Sequence, residues 1–161
     1  MSTYVPESPV TPEDLQLLGA DVLAAFLVDG PAGVVREEQA DGRVRASVAV
    51  RGEWNGVITL EVSRAAAHDL TRRMLLLDEV TEEDVTDAVG ELVNVLGGNV
   101  KSLLVEGSVL GLPEVTDGDL GDSTRVEICQ TELWWAGHPV HVRVWGADPD
   151  HDPAHEHRST P

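Results

Sequence analysis

From Thr81 to Val105 the apolar residues Val89, Leu92, Val93, Leu96, Val100, Leu103 and Leu104 recur at helical spacing. They form one stripe of a long helix. The opposite side carries Asp87, Glu91, Asn94 and Gly98, so one face is core and the other shows a carboxylate and a carboxamide one turn apart. Gly90, Gly97 and Gly98 each cost a helix roughly 1 kcal/mol relative to alanine, and Asn94 is a mediocre helix former. A helix selected for stability alone would avoid them. Gly90 and Gly97 fall on one flank and would let another helix approach closely, whereas Gly98 leaves the polar face open.

The flanking pattern predicts two further helices and two hairpins. Thr11-Pro12-Glu13-Asp14 is a helix start, with threonine as N-cap, proline in the first position and an acid three residues after the cap. Leu15, Leu18, Val22, Ala25 and Phe26 make its apolar stripe, and Asp29-Gly30-Pro31 ends it. This helix is the expected neighbour of the Gly90/Gly97 flank. Arg43 to Arg51 alternates strictly, Val44, Ala46, Val48 and Val50 facing one way. A turn through Gly52–Gly56 leads to a second strand with Ile58, Leu60 and Val62 inward, and Ser63 caps a helix to about Leu77 that buries Ala66, Leu70, Met74 and Leu77. Val109–Pro113 is a short strand or loop. Thr124–Trp135 and His138–Trp145 form the second hairpin, with Val140, Val142 and Val144 on one face. Trp134 and Trp135 are adjacent, so a strand sends them to opposite faces and only one enters the core.

Composition narrows the function classes. A chain of 161 residues with 42% apolar content suits one domain with a real core. No run approaches the roughly 18 apolar residues of a membrane span, and Met1–Thr11 lacks a signal-peptide pattern. The reading is a soluble cytoplasmic protein. Cys129 is the single cysteine, which excludes an internal disulfide; with no basic neighbours it reads as a small buried hydrophobe. The net charge of −18, from 29 acids and 11 bases, opposes nucleic acid and anionic membranes as partners. Lys101, the only lysine, lies on the shoulder of the Glu91/Asn94 face.

The ends carry little chemistry. Residues 1–10 read as a flexible segment and 147–161 as a disordered acidic tail. His151, His155 and His157 stand there among acids, but without a core to hold them as metal ligands. No metal site is expected.

Asp87-x-x-x-Glu91-x-x-Asn94, followed by Gly97-Gly98-Asn99 and later Leu112-Pro113, resembles the signature of the CheC/CheX/FliY chemotaxis phosphatases, and the run Asp87–Leu104 is closest to the CheX type. The resemblance covers residues 11–146. It implies a homodimer that dephosphorylates a CheY-like response regulator, with Glu91 and Asn94 as the catalytic pair. Asp87, Gly98 and Lys101 would be partner-binding residues. The resemblance implies no cofactor of the protein's own, the Mg2+ belonging to the regulator. One copy of the motif favours the single-site CheX type over the two-site CheC type. The Asn94–Pro113 interval is short for the family, so Pro113 is given no role beyond shaping a turn.

The resulting expectation is an α/β (α+β) fold with long helices on one face of a mainly antiparallel sheet. Its expected activity is hydrolysis of a regulator's phosphoaspartate, Asn94 orienting the water and Glu91 docking to the regulator's active-site lysine. The alternative is a non-catalytic adaptor on the same fold, docking a signalling or flagellar-switch partner through the helix face and an exposed tryptophan.

Overall fold

The computed structural model describes residues 10–26, 42–52, 54–104, 107–117, 125–135 and 137–147. The segment 1–10 except Val10, the Asp29-Gly30-Pro31 stop and the histidine-containing tail beyond Ala147 lie outside them. The elements are α1 (Pro12–Phe26), β1 (Arg43–Arg51), β2 (Gly56–Ser63), α2 (Arg64–Leu75), α3 (Glu82–Lys101), β3 (Val109–Leu110), β4 (Glu114–Asp117), β5 (Arg125–Trp135) and β6 (His138–Ala147). The six strands form one sheet in the order β3-β1-β2-β6-β5, with β4 also pairing β1. Every pairing among the described strands is antiparallel.

The helices cover one face of this sheet. Val44, Ala46, Val48 and Val50 of β1, Ile58, Leu60 and Val62 of β2 and Val140, Val142 and Val144 of β6 meet Leu15 and Val22 of α1, Leu70 of α2 and Leu92, Val93 and Leu96 of α3 in a single core. The other face is closed by long side chains. The Arg45 guanidinium lies 5.5 Å from the Trp145 ring centroid, and Trp145 Nε1 donates to Thr59 Oγ1 at 3.0 Å. Glu61 accepts from Arg43 and, at 3.4 Å, from Arg143. Alternation along β1 and β2 therefore sorts the side chains as the period of two requires, yet even the outward Arg45 is only 8% exposed.

Capping fixes where each helix begins. Thr11 and Thr81 each accept from the backbone N–H three residues on, at 3.1 Å, while Asp14 and Asp84 accept from the threonine N–H groups. Ser63 Oγ accepts from Ala66 N at 3.1 Å. Val10 and Leu15 hold the staple positions on either side of the first cap, and both are buried. Burial of Val10 places the last residue of the segment read as loose inside the core. In α1 the stripe is shifted: Leu23 is buried and Ala25 exposed. Beyond Leu75, the left-handed Leu76, at φ 54, ends α2 and leaves Leu77 only half-buried.

Two expectations for α3 are corrected. The helix stops at Lys101, and Leu103, assigned to the apolar stripe, lies past that end and is 44% exposed. The glycine flank does not face α1. A Cβ on Gly97 would lie 2.7 Å from Val48 and 3.4 Å from Leu110, and one on Gly90 would lie 3.5 Å from Val115. The close approach is between helix and sheet, because β1, β3 and β4 pass directly beneath that flank.

Candidate functional site

The capping box at Thr81 and the buried Val85, Val89, Leu92, Val93, Leu96 and Val100 fix α3 in rotation. That seating turns Asp87 and Glu91 fully outward, with Asn94 and Gly98 partly covered beside them. Glu91 and Asn94 are one turn apart, about 4.5 Å along the axis. Lys101, about 10 Å beyond Asn94 along the axis, is exposed in the last turn. All five residues singled out in the sequence therefore lie along one side of one helix.

Their engagement differs from that of the acids near the helix start. Glu82 is bound by Arg64 at 2.8 Å and meets His68 at 3.2 Å, and Asp84 belongs to the capping box. Among the described residues, by contrast, no hydrogen bond or ion pair engages the side chains of Asp87, Glu91, Asn94 or Lys101. The carboxylate and carboxamide are thus presented to solvent on a rigid support. Among the described residues no cluster of histidine, cysteine, aspartate and glutamate has metal-binding geometry.

Helix α3 borders an irregular sheet edge that the sequence did not reveal. Leu110 pairs with Val50 and Glu114 with Ser47, so the edge spends one residue more than β1 over the same stretch. This is a β-bulge centred on Gly111-Leu112-Pro113. Gly111 N donates to Ala49 O at 2.8 Å, and a Cβ on Gly90 would lie 3.9 Å from the Pro113 ring. Pro113, expected only to shape a turn, also packs against the helix that carries the site.

The site is a convex helix face and not a cavity. An open hollow of about 250 Å3 exists between α1 and the end of β5, lined by Ala20, Leu23, Ala24, Leu133, Trp134 and Trp135. It contains no titratable or nucleophilic side chain. Trp134 is 67% exposed at its rim, whereas Trp135 is buried, stacked on His138 and covered by Arg73.

Residues 44–131, which hold the first hairpin, α2, α3 and the bulged edge, match the family model described as Chemotaxis phosphatase CheX. The chain belongs to this family. None of the curated proteins matches it. Solved structures with the same fold include the chemotaxis protein CheX of Vibrio vulnificus, at 20% identity and TM-score 0.59, covering 84% of this chain and 97% of that one. A CheX-CheY-BeF3-Mg complex from Borrelia burgdorferi aligns at 15% identity and TM-score 0.58, with 84% and 97% covered. Thermotoga maritima FliY aligns at 14% identity and TM-score 0.53, with 88% and 91% covered. The fold expectation of helices on one face of an antiparallel sheet holds. Among the described residues no helix of this CheX-family chain is long and apolar enough to cross a membrane.

Proposed function

We propose that this CheX-family protein hydrolyses the phosphoaspartate of a CheY-like response regulator, with Asn94 and Glu91 as the acting pair. The observation that carries the reading is that the exposed Glu91 and the partly exposed Asn94 stand without a partner among the described residues, on a helix whose opposite side is locked into the core. A convex face suits a substrate whose reacting group lies in a recess of another protein. The CheX-CheY complex of the Borrelia relative supports a CheY-like partner.

The chemistry asks little of the catalyst. A phosphoaspartate is an acyl phosphate, so hydrolysis needs a water in line with phosphorus and support for developing charge. The water oxygen bonds to phosphorus, the bond to the carboxyl oxygen breaks, and aspartate and inorganic phosphate leave, the water's proton passing to phosphate or solvent. The carboxamide of Asn94 can accept from that water and donate to a neighbouring oxygen, which fixes its direction. Glu91 is ill placed against an anionic phosphoryl group, since like charges repel. It serves instead as the anchor to a cation of the partner's site, the regulator's active-site lysine. Magnesium held by the regulator supplies charge neutralisation at the phosphoryl oxygens. Asp87, Gly98 and Lys101 border the pair and contact the partner, Gly98 by leaving room and Lys101 by offsetting the negative charge of this face toward a phosphoryl group. The active form is a homodimer.

The test follows decay of a phosphorylated single-domain regulator from the same organism with wild-type protein, Asn94→Ala and Glu91→Ala. Asn94→Ala removes a water-orienting contact worth about 3 kcal/mol and slows the reaction about a hundredfold with the fold intact. Unchanged decay with the folded Asn94→Ala protein rejects the assignment, and regulator binding without faster decay by wild type favours an adaptor.

A further inference from the structure

We propose that Leu112, at the tip of the bulged edge beside α3, is the apolar contact that sets the protein's affinity for the regulator. The proposal rests on the phosphatase reading above. Leu112 is 87% exposed although the residues on both sides are tied down. Gly111 N–H is bonded to Ala49 O at 2.8 Å, and Pro113 has a fixed φ and packs near Gly90. The leucine is therefore held out into solvent by its backbone.

Its level along α3 follows from its neighbours. A Cβ on Gly97 would lie 3.4 Å from Leu110, and one on Gly90 would lie 3.9 Å from Pro113. The edge thus runs antiparallel to α3 from the level of Gly97 to that of Gly90, which places Leu112 alongside the turn containing Asn94. Asn94 leans toward the same flank as Gly90 and Gly97 at about 100° per residue. Bulges commonly re-aim a side chain next to a functional site, and this one leaves Leu112 exposed to solvent at the level of that turn.

The chemistry of the encounter calls for such a contact. A chain of net charge −18 meets a protein bearing a phosphoryl anion, so long-range electrostatics opposes association. Burial of apolar surface is independent of charge and supplies what the ionic contacts do not. The occupant is an aliphatic or aromatic side chain on a loop bordering the regulator's phosphorylation site. Because Leu112 touches neither water nor phosphoryl group, it governs binding and leaves the chemical step alone.

The experiment titrates a magnesium-bound, beryllofluoride-loaded single-domain regulator with wild type, Leu112→Ala, Leu112→Asp and Asn94→Ala, and measures dephosphorylation at saturating protein. Leu112→Ala is expected to raise Kd about tenfold, Leu112→Asp further, with the saturating rate unchanged; Asn94→Ala binds normally but is slow. Wild-type affinity in both Leu112 variants overturns this proposal and leaves the phosphatase reading standing, as does a lost saturating rate with unchanged Kd. A wild-type protein that binds but never accelerates decay overturns the phosphatase reading while the Kd values still judge Leu112. Failure of wild type to bind any regulator overturns both. Unfolding midpoints confirm that the exposed substitutions leave the fold intact.

Discussion

Gly97 of α3 lies so close over Val48 of β1 that a methyl group in place of its α-hydrogen would come within 2.7 Å of the valine Cγ1. Gly90, seven residues earlier on the same flank, would place that methyl 3.5 Å from Val115 Cγ2, an ordinary contact. The two glycines are therefore not equivalent. One lets the helix settle onto the sheet, and the other only lowers helix propensity.

Opposite effects on stability follow. Gly97→Ala forces Val48 or the helix to move and destabilises by about 1–3 kcal/mol, less roughly 1 kcal/mol recovered from propensity. Gly90→Ala stabilises by up to about 1 kcal/mol. Urea unfolding of the two variants checks this; a Gly97→Ala protein at least as stable as wild type contradicts the close approach.

The adjacent tryptophans give a second contrast. Trp135 is 8% exposed, stacked on His138, with the Arg73 guanidinium 5.0 Å from its ring centroid, so Trp135→Ala costs about 3–5 kcal/mol. Trp134, 67% exposed, changes stability by only about 0.5 kcal/mol on truncation. Thermal midpoints of the two variants decide it, and equal losses would mean that the strand presents its faces differently.

Glu61 gives an acid-side prediction. Burial disfavours its charged form, but the Arg43 hydrogen bond and the charges of Arg43, Arg143 and Arg45 outweigh burial and hold its carboxyl below the ordinary 4.5. A depressed carboxylate contributes stability that is present above the unfolded value and lost as pH falls through the folded one. Wild type should exceed Glu61→Gln by about 1 kcal/mol or less at neutral pH, because Arg43 is largely exposed. The difference should stay constant down to about pH 4.5 and vanish below it. A gap that widens on acidification would contradict the sign.

Much of the site was legible because helical geometry is local. Once Val89, Leu92, Val93 and Leu96 mark the buried side, the spacing of Asp87, Glu91, Asn94 and Gly98 places them opposite whatever the rest of the chain does. The capping residues Thr11 and Ser63 were legible for the same reason, since each bonds within three residues; Thr81 caps α3 in the same way, although it was not singled out in the sequence. The bulge at Leu112 carried no comparable signal. It exists only as a mismatch in count between Leu110–Glu114 and the distant Val50–Ser47.

The sequence alone thus determined the three helices and two hairpins, though not β4, the core-facing sides of β1, β2 and β6, and the pairing of a carboxylate with a carboxamide on one helix face. Periodicity and capping are properties of a few neighbouring residues, so they survive without knowledge of the fold. Only the tertiary structure decided that the glycine flank meets the sheet instead of α1, that Leu103 falls outside the core and that Trp135 rather than Trp134 is buried. Those outcomes depend on which element lies next to which and in what register, and contacts between residues far apart in the chain leave no periodic trace in it.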